Sequence, residues 1–161
     1  MFGKDRKMTT RRRTVLAALA MLVLAGPAAA QDRGNASEAR AMVDDAVQHV
    51  VRVGPGQAFK DFTDKANATW HRKDLYVFVY AMDGVNVAHG ANDRLVGKNL
   101  MDLRDPNGKF VVRELRDTAL KGGGWVDYDW PHPYSHRIEA KSSYVRKLVN
   151  FDGFVGVGVS R

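Results

Sequence analysis

The chain has 161 residues, with 25 basic and 18 acidic side chains and no cysteine. Without cysteine it can form neither a disulfide nor a thiolate metal site, and a covalent cysteine mechanism is excluded. Most of the net charge of +7 lies in the first 30 residues, and the remaining 19 basic and 17 acidic residues give no electrostatic basis for a nucleic-acid interface.

The first 30 residues have the order of a secretory signal peptide. Six basic residues precede an apolar run from Val15 to Leu24, and Ala28-Ala29-Ala30 offers an A-x-A cleavage site. The run is shorter than the roughly 20 apolar residues of a membrane span. We therefore expect a periplasmic or secreted protein after cleavage. Retention of residues 14–30 as an inner-membrane anchor is the alternative.

Residues 31–35 are predicted to be a flexible N-terminus, and a single domain is expected over residues 36–161. From Ala36 onward, apolar residues recur at three- and four-residue steps, which predicts a long amphipathic helix. Gly54-Pro55-Gly56 ends this helix. A shorter helix is expected around Phe59 and Phe62.

The segment Leu75 to Met82 is apolar at every position and rich in β-branched and aromatic residues, which predicts a central strand buried on both faces. Asp83-Gly84 is a tight-turn signal, and Val85 to His89 is expected to return as a second strand. A loop over residues 91–103 precedes a helix predicted from Phe110 to Leu120.

Three more strands are predicted at Trp125–Trp130, Ile138–Val149 and Phe154–Val159, and the last two are joined by a turn. The order of elements predicts an α+β domain. In this architecture the long N-terminal helix packs along a central antiparallel sheet of about five strands.

Residues 122–144 concentrate aromatic rings among a few polar groups, which is typical of small-molecule pockets. If residues 125–130 form one strand, Tyr128 and Trp130 share a face and Trp125 points the other way. Tyr128 and Trp130 are therefore the better candidates for walls of a pocket, and Trp125 is the weaker one. The alternative is that all three are core aromatics with satisfied polar tips.

Lys141 can supply the cation that a carboxylate ligand needs, and Tyr144 can add a neutral donor. Their three-residue separation places them on opposite faces of a regular strand, so both reach one pocket only if a bulge intervenes. His89 is a further candidate donor, and His132 a candidate at the pocket mouth. Each has a purely structural alternative. His132 and His136 lie in a proline-bounded loop without a third ligand, so no metal site is expected.

Three blocks of the sequence occur in the order and spacing of one protein family. They are Tyr76-Val77-Phe78-Val79 with Asp83-Gly84 and Ala88-His89, then Leu95 to Leu100 with Asp105 and Gly108-Lys109, and Gly124 to Pro131 with Pro133 and Lys141 to Val145. From about Ala36 to Val159 the chain resembles the single Cache domain, type 2, a family of PAS-like extracytoplasmic sensor domains of chemoreceptors and histidine kinases. That family usually has proline after the histidine, where this chain has Gly90.

The resemblance implies a sensor for a small organic acid, such as pyruvate, acetate or propionate, bound in a pocket on the sheet. It implies no cofactor and no catalytic residue. A receptor of this family continues into a transmembrane helix and a signalling domain, whereas the sequence ends at Arg161. We therefore expect the signal to pass to a partner, a membrane receptor or sensor kinase in chemotaxis or related signal transduction. A homodimer through the long N-terminal helix is a further expectation.

Two other functions are weighed against this one. The first is an accessory interaction subunit with a vestigial pocket, which the dense aromatic segment counts against. The second is a periplasmic hydrolase that uses the histidines. Because the sequence shows neither a nucleophile elbow nor a placed catalytic triad, we do not expect an enzyme.

Overall fold

The computed structural model describes residues 32–161. The predicted signal peptide, residues 1–30, lies outside the described residues. Within the described part of the chain, every helix is too short or too polar to cross a membrane.

Two helices open the domain, α1 over Ala36–Val53 and α2 over Pro55–Thr63. The first turn of α1 is closed by a capping box: the Asn35 side chain accepts from the backbone N–H of Glu38 at 2.9 Å, and the Glu38 carboxylate accepts from the N–H of Asn35 at 3.0 Å. Gly54 has a φ of 84° and separates the two helices. The glycine-proline stop that the sequence predicts is therefore also the start of the next helix.

The segment before α1, for which flexibility is predicted, is held at Gly34. Its backbone N–H donates to Oδ1 of Asp74 at 2.6 Å. Gly34 is buried, and a Cβ at this position would lie 2.3 Å from Leu75. The chain therefore enters α1 through a contact with the sheet.

The sheet has six strands, and every pair is antiparallel. The strands are β1 His71–Arg72, β2 Leu75–Ala81, β3 Asn86–His89, β4 Gly124–Pro131, β5 Ile138–Lys147 and β6 Gly153–Ser160. Their order is β1-β2-β6-β5-β4, and β3 also pairs with β2. The predicted fold class is confirmed. The strand beyond the expected number is β1, which at two residues is too short to leave a pattern in the sequence.

Helices and loops cover the two faces of the sheet. Helices α1 and α2 pack on one face, and helix α3, Val111–Leu120, packs on the other. Strand β2 is buried on both faces, as predicted from its apolar run, and its side chains alternate. Aliphatic residues 75, 77 and 79 join the α1 core, whereas Tyr76, Phe78 and Tyr80 join the α3 core. The face beneath α3, here called the aromatic face, is where the candidate site lies.

Candidate functional site

Two cavities with shared lining residues lie on the aromatic face. The larger of the two has a volume of about 720 Å³ and lies between the segment that follows β3 and the loop between β4 and β5. A small cavity of about 10 Å³ shares three of its lining residues, Tyr76, His89 and Trp130. The small cavity also borders Tyr128 and has room for roughly one water molecule. Together they form a wide entrance above a tight aromatic floor.

The side chain of Lys141 is buried within this face, with 2 % of its surface exposed. Its Nζ donates to the hydroxyl of Tyr76 at 3.0 Å and lies 4.3 Å from the centre of the Tyr76 ring. Among residues 32–161 it forms no ion pair, and an ammonium group carries more N–H donors than this one bond uses. Burial lowers the pKa of Lys141 below its usual value. A buried cation without a counter-ion is costly, so this position favours an anionic partner.

A glycine on the neighbouring strand makes room for Lys141. Gly158 lies opposite Ser143 in the pairing of β5 with β6. A Cβ at Gly158 would lie 2.3 Å from Cε of Lys141 and 2.3 Å from Oγ of Ser143. The lysine side chain therefore crosses β6 at a position without a side chain and reaches Tyr76 on β2.

Tyr128 stands beside Lys141, its partner in the register of β4 with β5. Its hydroxyl and the Oγ of Ser143 are 2.6 Å apart. Burial raises the pKa of Tyr128 to about 12. Its ring meets that of Trp130 edge-on, with centroids 6.0 Å apart, so the two residues form a continuous wall. Sequence parity places both on one face, and the structure agrees.

His89 completes the aromatic floor, with 2 % of its surface exposed. Its Nδ1 accepts from the backbone N–H of Asn92 at 3.0 Å, so the neutral ring carries its hydrogen on Nε2. Burial, aided by the charges of Lys141 and Lys65, lowers the pKa of His89 to about 3. The ring stays neutral at ordinary pH and offers one N–H donor.

Trp125 and Tyr144 lie on the opposite face of the sheet. Their ring centroids are 5.3 Å apart, and the guanidinium of Arg40 in α1 lies 5.2 Å from the centre of the Tyr144 ring. The register between β4 and β5 is regular from end to end, so no bulge turns Tyr144 toward Lys141. The structure therefore does not bring these two candidates to the cavities.

His132 lines the large cavity and is buried at its rim. Its Nδ1 accepts from the backbone N–H groups of Tyr134 and Ser135, each at 3.3 Å. Its Nε2 lies 3.8 Å from Oδ2 of Asp74. His136 lines the same cavity. Across the described residues, no cluster of three or more metal-binding side chains forms.

Tyr76 is not among the site residues predicted from the sequence, although it borders both cavities described above and bonds to Lys141. A usable signal was present in the run LYVFVYAM, where aromatic and aliphatic residues alternate at positions 75–80. Such a period of two assigns the rings to one face of a strand.

Gly90, where the family usually has proline, is held tightly behind Tyr76. Its N–H donates to the carbonyl of Val77 at 2.9 Å, and its carbonyl accepts from Nε2 of His71 at 3.0 Å. A Cβ at Gly90 would lie 2.6 Å from that Nε2. A proline here would lack the N–H and collide with His71, so the neighbouring residues of this chain are adapted to glycine.

The family model of Single Cache domain 2 matches residues 18–160. The chain is 42 % identical over 87 residues to the sensor histidine kinase MctS of Rhizobium johnstonii, covering 54 % of this chain and 19 % of that protein. It is 26 % identical over 129 residues to the methyl-accepting chemotaxis protein CtpM of Pseudomonas aeruginosa, covering 71 % of this chain and 23 % of that protein. The chain thus spans about a fifth of the length of these relatives.

Solved structures share the architecture. A methyl-accepting chemotaxis protein from Vibrio parahaemolyticus aligns with a TM-score of 0.68 and 28 % identity, covering 77 % of this chain and 86 % of that one. A Cache chemosensory domain described as recognising carboxylic acids aligns with a TM-score of 0.64, covering 77 % and 91 %; at 23 % identity this likeness shows the fold alone. The family match over residues 18–160 shows that the chain belongs to the Single Cache domain 2 family of chemoreceptor and histidine-kinase sensor domains.

Proposed function

We propose that the chain is the extracytoplasmic ligand-binding part of a sensor, and that it recognises a small carboxylate on the aromatic face. One observation carries the proposal: the ammonium of Lys141 is buried and has no carboxylate partner among residues 32–161. A carboxylate ligand supplies the missing negative charge and accepts the unused N–H donors.

Neutral hydrogen-bond donors around Lys141 suit the part of the ligand that does not contact the ammonium group. The hydroxyl of Tyr76 accepts from Lys141, which leaves its own hydrogen free to donate. Nε2–H of His89 borders the same small cavity. Trp130 and Tyr128 supply apolar walls for a short hydrocarbon chain. His132 stands at the rim, while Trp125 and Tyr144 lie outside the proposed site.

The size of the cavity restricts the ligand. The floor cavity of about 10 Å³ is smaller than any organic acid, so binding requires the rings of Tyr76 or Trp130 to move aside. The wide outer cavity of about 720 Å³ provides the entrance. Rotation of one or two side chains can make room for only a small molecule. We therefore propose an acid of two to four carbons.

The relatives support a signalling role for the bound state. They include chemotaxis proteins and a sensor histidine kinase, and one solved Cache domain is described as recognising carboxylic acids. We propose a binding role rather than a catalytic one for this chain, with location in the periplasm. The signal would pass to a membrane receptor or sensor kinase, with α1 as the surface for a homodimer.

Calorimetric titration of the purified protein with acetate, propionate and pyruvate tests the proposal. We expect binding heat and a rise in the melting temperature, because a ligand at 100 times its Kd stabilises the folded state by about 2.7 kcal/mol. Acetamide and propionamide, which have the same shape but no charge, serve as matched controls and should not bind. Equal responses to acids and amides, or no response to any acid, would contradict a carboxylate site.

A further inference from the structure

Asp74 contacts two segments that are distant in the sequence. It lies in the turn before β2, and 2 % of its surface is exposed. Its Oδ1 accepts from the N–H of Gly34, directly before the N-cap of α1. Its Oδ2 faces Nε2 of His132 in the loop over residues 132–137, here called the rim loop. One carboxylate thus stands between the start of α1 and the wall of the large cavity.

The contact on the rim-loop side is incomplete. Because Nδ1 of His132 accepts two backbone N–H groups, the hydrogen of the neutral ring is on Nε2, the nitrogen nearest to Asp74. The distance of 3.8 Å exceeds that of a hydrogen bond, and Oδ2 has no other hydrogen-bond partner in the described chain. An inward displacement of the rim loop by about 1 Å would complete the bond.

We propose that Asp74 is a positioning residue that couples the rim loop to the first turn of α1. A carboxylate bound in the opened floor displaces Trp130, which borders both cavities and lies two residues before His132, so the rim loop moves inward and the bond from His132 to Asp74 is completed. The carboxylate then holds Gly34 more firmly, and the first turn of α1 is stabilised. The ligand-driven step rests on the proposed function. A weaker coupling is already present in the free protein, because the buried Asp74 carboxylate and the Nε2–H of His132 attract each other at 3.8 Å without a hydrogen bond.

A second attachment of the rim loop provides a control. The hydroxyl of Tyr134 donates to the carbonyl of Lys73 at 2.6 Å, so the loop is tied to the same turn without using the Asp74 side chain. Tyr134→Phe loosens the loop at this tie alone. Asp74→Asn keeps an oxygen for Gly34 and replaces the acceptor that faces His132 with an amide NH₂.

The first test needs no ligand. Unfolding free energies of the full chain are measured for Asp74→Asn, His132→Phe and the double variant. We expect the double variant to lose clearly less than the sum of the two single losses, because both remove the same interaction. Additive losses would overturn the coupling, whatever ligand the protein binds. Pairing Asp74→Asn with Tyr134→Phe should give additive losses, and equal non-additivity there would also overturn it.

The second test follows backbone amide exchange over residues 34–39, with pyruvate as the probe. In the unchanged protein we expect pyruvate to slow exchange about fivefold or more, the size of a typical coupling between sites. The Asp74→Asn variant should still bind pyruvate with the same calorimetric heat, but pyruvate should no longer slow its amide exchange. Retained slowing would overturn the proposal, and loss of the heat itself would make Asp74 a ligand contact instead. Absence of heat with the unchanged protein would count against the proposed function, while the first test still decides the coupling.

Discussion

Lys141 of β5 bonds to Tyr76 of β2 across the whole width of β6, which lies between these strands. The contact passes over Gly158, whose missing side chain leaves the path open. Two residues 65 positions apart thereby form the polar centre of an otherwise aromatic surface.

Replacing Lys141 with methionine should abolish carboxylate binding and leave the free protein as stable as before or more stable. An apolar side chain of similar length removes a buried charge that lacks a counter-ion, and with it the desolvation cost of that charge, so the free energy of unfolding should stay the same or rise. Calorimetry and urea unfolding measure the two effects. Lys147→Met, at an exposed position of the same strand, is the matched control and should change neither. A Lys141→Met variant that binds acetate normally would contradict the proposed site.

Gly158→Ala should destabilise the fold and weaken binding together. The new methyl group would stand 2.3 Å from Cε of Lys141, and overpacking of this kind costs about 1–3 kcal/mol. Denaturant unfolding measures the loss. Gly56→Ala is the control: it lies in α2 with no atom within 4 Å of the added Cβ, so it should stabilise the protein by about 0.5–1 kcal/mol. Similar effects of the two substitutions would argue that the position of the Lys141 side chain does not depend on the missing side chain at Gly158.

His89 should make the fold sensitive to acid. Its pKa is about 3 in the folded state, against an ordinary value of 6.5, so below pH 6.5 the unfolded chain takes up a proton that the folded chain does not. The contribution to stability is complete above pH 6.5 and is lost as the pH falls toward 3. The slope is at most about 1.4 kcal/mol per pH unit.

Urea unfolding between these pH values tests this. His89→Gln, which retains an acceptor for Asn92, should flatten the decline between pH 6.5 and 5 by up to about 2 kcal/mol. His136→Gln, at an exposed position on the rim, is the matched control for the exchange of histidine for glutamine itself. If the free energy of unfolding falls with pH equally in the unchanged protein and the His89 variant, this ring does not cause the acid sensitivity.

Tyr128 and Tyr144 lie on opposite faces of the sheet, so the same substitution at each position tests which face binds the ligand. Tyr128→Phe removes the hydroxyl that ties this wall to Ser143 beside Lys141, so the wall is held less firmly and carboxylate binding should weaken by up to roughly tenfold. Tyr144→Phe makes the same chemical change on the α1 face and should leave the affinity within about twofold. Titrations of the two variants under one set of conditions compare them directly. A larger loss for the Tyr144 variant would reverse the assignment of faces.

Much of the fold follows from local patterns, because burial imposes periods of two on strands and of three to four on helices. The long helix, the central strand and the antiparallel run at the end are all visible in this way. The face shared by Tyr128 and Trp130 follows from the same parity. The contact from Lys141 to Tyr76 does not, because it depends on the strand order β2-β6-β5. Strand β1, at two residues, carries too little sequence for any periodicity.

The three tryptophans stand in three different surroundings. Trp130 borders the cavities, and Trp125 is 39 % exposed beside Tyr144 and α1. Trp70 is buried beneath α1 and α2, with its ring 4.8 Å from that of Phe62. Intrinsic fluorescence therefore has a natural emitter at the proposed ligand entrance, on the α1 face of the sheet and in the core. Single-tryptophan variants would time the arrival of a ligand separately from the response of the helix, without any added dye.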